Sequence, residues 1–224
     1  MGHLSNETDF FAVLEDRRWL APGILEFRLR RPEGFAFIPG QFLRFMMDGY
    51  QREYTMLSCP EAQTIDFCIA VAAGGRFSTE IQQARIGSRF QVSGPLGHFV
   101  YQGAGNPAVF VATGTGVAPF VAFCRSGVAR ALLLHGVHHA DGLIYRNLLV
   151  AAVKPYIVCI RRPATIPEDG IEIYAGRVTD YLKSELAPGT YDFYLCGRRD
   201  MIRDATAVID GRFGDSRLFI ENYG

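Results

Sequence analysis

The sequence predicts two domains in series, an antiparallel six-stranded β-barrel over residues 1–103 and a parallel α/β domain over residues 104–224. Three observations carry this. From Phe10 to about Tyr101 short β-like runs are broken by Gly and Pro, the pattern of a small barrel. Beyond Pro107 strand-like runs alternate with helical stretches, the pattern of an open parallel sheet that binds ligands at its strand C-termini. Between the two, Gly103-Ala104-Gly105-Asn106-Pro107 reads as a boundary.

In the first part the expected strands are Phe11–Asp16, Ile24–Arg30, Gln41–Met46, Glu53–Ser58, Ile65–Val71 and Arg89–Ser93. Ile24–Arg30 alternates apolar and polar residues, which suits one face in a core and one in water. One helix, Phe77–Ala84, interrupts the strands. Ser78 is its expected cap, so its N-terminus is a candidate anion site behind Gly74-Gly75.

In the second part the expected strands are Ala108–Ala112, Ala131–Leu134, Tyr156–Ile160, Tyr191–Leu195 and Leu218–Ile220. The expected helices are Val117–Arg125, Asp141–Leu149, Val178–Leu186 and Met201–Ile209. The run Val109–Phe120 joins an apolar strand to Thr113-Gly114-Thr115-Gly116 and then to a helix start at Pro119. Glycines there let the backbone approach a pyrophosphate and turn into a helix whose N–H groups face the anion. A tight connection with no ligand is the plainer reading of the same pattern.

Composition narrows the function classes. Lys+Arg and Asp+Glu each total 23, so no net field recommends nucleic acid or an anionic membrane. No window of about 18 uninterrupted apolar residues occurs, and Met1–Glu7 lacks a cationic start and an apolar core. The expectation is a cytoplasmic protein with no membrane partner. The five cysteines, Cys59, Cys68, Cys124, Cys159 and Cys196, are an odd number with no C-x-x-C pair, so neither a disulfide framework nor a metal cluster is expected. His135, His138 and His139 lack a positioned carboxylate or Cys partner, and no metal is assigned to them.

Upstream, Arg52-Glu53-Tyr54-Thr55-Met56-Leu57-Ser58 puts a cation, an aromatic face and two hydroxyls on one strand. In an extended chain Arg52, Tyr54 and Met56 point one way and Glu53, Thr55 and Leu57 the other. These residues, in the order R-x-Y-[ST]-x-x-S, together with the Gly114-Thr115-Gly116 turn, resemble the ferredoxin/flavodoxin–NAD(P) reductase family of flavoenzymes. Pro39-Gly40-Gln41-Phe42, Gly74-Gly75-Arg76-Phe77-Ser78, Gly94-Pro95-Leu96-Gly97, Cys196-Gly197 with Met201, and Phe219-Ile220-Glu221-Asn222-Tyr223 fall in the family's order. The resemblance covers nearly the whole chain.

It implies a flavin-binding barrel followed by a Rossmann-like nicotinamide-binding domain, and hydride transfer between nicotinamide C4 and flavin N5. FAD is the expected flavin. If Gly74, Gly75 and Ser78 are only a turn and a cap, FMN takes its place. Arg52 is expected on the flavin phosphates, or else in an ion pair with Glu53. Tyr54 is expected against the isoalloxazine or ribityl chain, or else in the barrel core. Ser58, Ile69, Ala70, Arg76 and Phe77 complete the implied flavin residues. Thr113, Gly114, Thr115, Gly116, Gly197 and Met201 are the implied dinucleotide residues.

By resemblance, Thr55, Cys196 and Glu221 surround the reacting atoms. A hydroxyl can hydrogen-bond N5, a near-terminal carboxylate can relay a proton, and Cys196 forms a small polarizable wall. The duller alternatives are a buried inert cysteine and an exposed tail carboxylate. Tyr223 is the implied aromatic gate over the flavin, with a loose terminus as its rival. Relatives that use NADP place an arginine after the second strand, where this chain has His138. Arg161, Arg162 and Arg177 lie in the segments that reach the adenosine phosphate, which tilts the expectation to NADPH over NADH.

The expected function is electron passage between NAD(P)H and a one-electron carrier such as ferredoxin or flavodoxin on a separate chain, by a monomer. An oxygenase reductase component, a free-flavin reductase, and a non-catalytic flavin or dinucleotide module are the alternatives.

Overall fold

Every second residue of Ile24–Arg30 from Leu25 to Leu29 is buried, as the alternation predicts, but Glu26 is buried too, its carboxylate 2.7 Å from Arg18 Nε. In the computed structural model, which describes residues 8–72, 74–103, 105–161 and 169–223, this strand belongs to the first of two compact units, divided after Tyr101. The division falls two residues before the expected boundary, and the Gln102 backbone N–H donates to the Tyr194 hydroxyl of the second unit at 3.0 Å.

The strands of the first unit are β1 (Thr8–Ala21), β2 (Ile24–Arg30), β3 (Phe42–Met47), β4 (Tyr50–Thr55), β5 (Thr64–Ala70) and β6 (Arg89–Leu96), with α1 (Arg76–Gln83) between the last two. All pairings are antiparallel, in the order β4-β3-β6-β1-β2-β5. β1 is much longer than the expected Phe11–Asp16, because Thr8–Val13 pair with β6 and Leu14–Ala21 pair with β2.

β4 starts and ends three residues earlier than expected. Its whole length pairs with β3, from Met47 opposite Tyr50 to Phe42 opposite Thr55. Past Thr55 the chain changes partner. The Leu57 N–H donates to Asp66 O at 2.9 Å, and the Ser58 hydroxyl accepts from the Asp66 N–H at 2.8 Å. Those two bonds join the two edges of the sheet and close the barrel.

The core of this unit is aromatic. Phe27 stacks on Phe67 at 5.0 Å, Phe45 meets Phe67 and Phe77 edge-on at 5.3 and 4.9 Å, and Phe77 stacks on Tyr54 at 4.7 Å. The helix α1 is held at its other end by Arg17, whose guanidinium donates to the carbonyls of Ile81 and Ala84. Ser78 does not cap it. The N-cap is Gly75, and the Ser78 hydroxyl donates back to Gly75 O at 3.1 Å.

The second unit is a six-stranded parallel sheet. Its strands are β7 (Ala108–Thr113), β8 (Leu132–Gly136), β9 (Tyr156–Cys159), β10 (Glu172–Tyr174), β11 (Asp192–Gly197) and β12 (Arg217–Asn222). They lie in the order β10-β9-β8-β7-β11-β12. The helices are α2 (Ala118–Arg125), α3 (Arg146–Ala152), α4 (Val178–Ser184) and α5 (Arg199–Arg212). β10 has no counterpart among the expected strands; it is three residues long and its Ile173 is exposed, so no apolar run announces it. α3 begins five residues later than expected, since Asp141 sits in a short turn and Tyr145 takes a positive φ of 58° at the cap.

Both faces of this sheet are covered. Val109 and Val111 of β7 join Phe193 and Leu195 of β11 under α4 and α5. Phe110, from the alternate position, stacks on Phe120 of α2 at 4.6 Å. From β7 the chain steps outward through β8 to β10, then returns to the other side of β7 as β11 and β12. The C-terminal ends of β7 and β11 therefore flank the point where strand order reverses, the crevice in which open sheets bind ligands.

Candidate cofactor sites

The aromatic core of the first unit ends at a basic surface. Tyr54 is half-buried on Phe77, and burial pushes its hydroxyl up to about 12, with the nearby Arg52 charge opposing, so it stays protonated and neutral. Two residues before it, Arg52 lies over the ring of Tyr50 at 5.3 Å, and Arg76, the first residue of α1, lies over the same ring at 4.3 Å. An aromatic face carries negative potential, so one ring steadies both cations.

The acid beside Arg52 is engaged elsewhere. Glu53 pairs with Arg44 across the strands at 2.9 Å. Among the described residues neither Arg52 nor Arg76 forms an ion pair. Arg52 Nη1 donates to Gln51 O at 2.7 Å, and Arg76 Nη2 to Asp48 O at 3.2 Å. Two guanidiniums beside the Gly74-Gly75 turn fit a phosphate-bearing ligand. Gly74 takes φ +76°, and a Cβ on Gly75 would stand 2.6 Å from Ser78 Oγ, so a side chain at that point would force the Ser78 hydroxyl to move.

Of the other expected flavin residues, Thr55 is buried at the end of β4, Ile69 is buried and Ala70 exposed at the end of β5, and Phe77 and Ser78 are buried on α1. Ser58 is buried and its hydroxyl accepts the bond that closes the barrel. Tyr50 was not expected. Its signal was present, an aromatic two residues before Arg52 on the same strand face, but nothing in the sequence brings Arg76 to it.

In the second unit the turns after β7 and β11 meet backbone to backbone. A Cβ on Gly116 would lie 2.4 Å from Cys196 O, and one on Gly197 would lie 2.3 Å from Thr113 Oγ1 and 3.2 Å from Met201 Cε. The Arg198 N–H donates to Thr113 Oγ1 at 3.4 Å. Thr113, Gly114, Thr115, Gly116, Gly197 and Met201 are thus one patch.

Cys196, Glu221 and Tyr223 border it. Cys196 and Glu221 are register partners on β11 and β12, and the Tyr223 N–H donates to Gly197 O at 3.0 Å. Burial raises the Cys196 thiol well above its usual range and the Glu221 charge adds to this, while a hydrogen bond with the Tyr223 side chain opposes it. The thiol stays neutral and is not a nucleophile. These groups can wall a flat ring and move a proton.

At the ends of β8 and β9, Val137, His138, His139 and Arg161 line a cavity of about 450 Å³. Arg177 is separate from that lining and caps α4, its N–H donating to Asp180 at 2.9 Å. Arg162 lies outside the described residues. Among those residues no group of three or more His, Cys, Asp or Glu could hold a metal, and no helix is long and apolar enough to cross a membrane.

Two family profiles match, the oxidoreductase FAD-binding domain over residues 20–101 and the oxidoreductase NAD-binding domain over residues 110–207. The chain belongs to the ferredoxin reductase family of FAD- and NAD-binding oxidoreductases. Among its relatives, the ferredoxin–NAD(P)(+) reductase component of the naphthalene 1,2-dioxygenase system of Pseudomonas putida is 32% identical over 198 residues, covering 83% of this chain and 60% of that one. Ferredoxin–NADP reductase B of Sorangium cellulosum is 29% identical, covering 96% of this chain and 97% of that one. The chain spans about half the length of several oxygenase electron-transfer components, such as the 47% of Methylosinus trichosporium methane monooxygenase component C covered at 33% identity. Ferredoxin NADP+ reductase from Neisseria gonorrhoeae, solved with bound FAD and NADP, shares the fold with a TM-score of 0.82 at 21% identity, covering 96% of this chain and 98% of that one. The Arg52 and Arg76 surface accordingly falls within the residues of the FAD-binding match, and Gly116 and Gly197 within those of the NAD-binding match.

Proposed function

We propose that this chain is a flavin-dependent NAD(P)H oxidoreductase that exchanges electrons with a one-electron carrier, such as ferredoxin or flavodoxin, on a separate chain. The observation that carries the reading is the patch formed by Gly116 and Gly197, bordered by Cys196, Glu221 and Tyr223 in a chain that also has an FAD-binding domain. A passive binder has no need of a carboxylate beside a neutral thiol at that point.

The residues divide the work. Arg52 and Arg76 hold the flavin phosphates, Tyr54 offers its ring to the flavin, and the Thr55 hydroxyl hydrogen-bonds it. The Thr113–Gly116 turn takes the dinucleotide phosphates, and Gly197 leaves room for the nicotinamide beside Cys196. Glu221 exchanges the proton with solvent. When bound, the flavin accepts a hydride from the reduced nicotinamide and releases the two electrons one at a time.

We favour NADPH, because His138, His139 and Arg161 share the cavity at the strand ends beyond the turn, and a guanidinium there suits a 2′-phosphate. A monomer in the cytoplasm is the working assignment. The identity to oxygenase components supports a second acceptor, the ferredoxin or oxygenase of such a system.

The test is a stopped-flow measurement on the purified yellow protein. NADPH is expected to bleach the flavin band faster than NADH does, and the reduced protein to pass electrons to ferredoxin or flavodoxin. A band that neither nicotinamide bleaches would falsify the enzyme in favour of a non-catalytic flavin module.

A further inference from the structure

His135 is fully buried in β8, the strand beside β7, where a parallel sheet ordinarily carries an apolar side chain. A buried imidazole is costly unless both ring nitrogens are satisfied. Here they are. His135 Nε2 lies 3.3 Å from Gly114 O, and Nδ1 lies 2.9 Å from the Tyr156 hydroxyl on β9. A carbonyl can only accept, so Nε2 carries the proton and donates it; Nδ1 then accepts from the Tyr156 O–H. Tyr156 is buried as well and stacks on the imidazole with 14° between the ring planes.

The bond reaches the first glycine of the turn. Gly114 has φ +54°, and the peptide that follows it is trans. In a trans peptide the C=O and the next N–H point in opposite directions. Drawing the Gly114 carbonyl inward toward His135 therefore turns the Thr115 N–H outward, away from that imidazole. We propose that His135, oriented by Tyr156, is a positioning residue that presets the glycine turn for the phosphates of the nicotinamide dinucleotide. The relay rests on the assignment of that turn to the dinucleotide, and hydrogen bonding in series strengthens the outward donor. It touches neither substrate nor flavin.

The test uses the full chain with its flavin bound. His135→Leu is expected to raise the Kd for NADPH, measured by titration, about tenfold, while flavin content and the flavin reduction rate at saturating NADPH stay within twofold. His135→Gln, whose amide can donate at a similar reach, is expected to return the Kd to within threefold of the parent. Nitrogen NMR of histidine-labelled protein, with His135 assigned by its loss in His135→Gln, is expected to show the Nε2–H tautomer, and Tyr156→Phe to shift the Nδ1 signal and raise the Kd about threefold.

An unchanged Kd in His135→Leu overturns the relay, as does an Nδ1–H tautomer. Equal loss of affinity and of thermal stability in the Leu and Gln variants assigns His135 to packing alone. Should His135→Leu not fold, Tyr156→Phe decides, and an unchanged Kd with an unchanged Nδ1 signal overturns the relay. A parent protein that binds no nicotinamide dinucleotide instead overturns the assignment of the turn.

Discussion

Tyr50 shows how one side chain sets the chemistry of two others. Arg52 and Arg76 would repel each other, yet both lie on its ring, each contact worth about 0.5–1 kcal/mol at an exposed site. Tyr50→Leu removes both contacts, whereas Tyr50→Phe keeps the ring. Fluorescence titration is expected to show FAD bound ~5–10-fold more weakly by the Leu variant and within twofold of the parent by the Phe variant. Equal losses in both would transfer the effect to the hydroxyl. Tyr223 is the second residue whose effect is measurable. Its side chain is tied to Cys196 and its backbone to Gly197, so anything that seats a ring beside Cys196 must release it. Tyr223→Ser is expected to tighten nicotinamide binding by about tenfold in an equilibrium titration, and an unchanged Kd removes the gate.

At the scale of elements, β8 carries a pH dependence into the second unit. Burial lowers the His135 imidazole to about 4 from an ordinary 6.5, with the hydrogen bond to Gly114 opposing. The unfolded chain therefore binds the proton at higher pH than the folded one. Stability from this group is full above pH 6.5 and is lost as pH falls through the window from 6.5 to about 4, by about 3 kcal/mol at most. Denaturant unfolding followed by the second unit's signal is expected to lose that window in His135→Gln. A parent protein as stable at pH 4.5 as at pH 7 contradicts the buried neutral imidazole. Elsewhere in this unit the ends of β11 and β12 are fastened by Arg217 and Asn106, which both donate to the buried Asp192 and hold its carboxyl below its usual range.

Over the whole molecule, the parts of the fold that repeat a period were legible and the parts set by partners were not. Alternation located β2, a β-like run located β5 to within a residue, and the glycine turn marked the end of β7. The true extent of β1 depends on its having two neighbours, β4 takes its ends from β3, and β10 exists only by pairing with β9. The candidate sites divide the same way. Arg52, Gly116 and Cys196 stand in local motifs that resemble those of the family, and it was that resemblance that singled them out. Tyr50 under Arg76 and Tyr156 behind His135 come from distant stretches, and only the folded chain brings them together.

The meeting of Gly116 with Gly197 also limits how this protein could be redesigned. Gly116 has no space for a methyl group while the backbones stay where they are, and Gly197 sits at φ +144°, where a side chain is strained and would meet the Thr113 hydroxyl, so a library aimed at a new coenzyme preference wastes its diversity there. The rim around His138, His139 and Arg161, where side chains project from the ends of β8 and β9, is the place to vary.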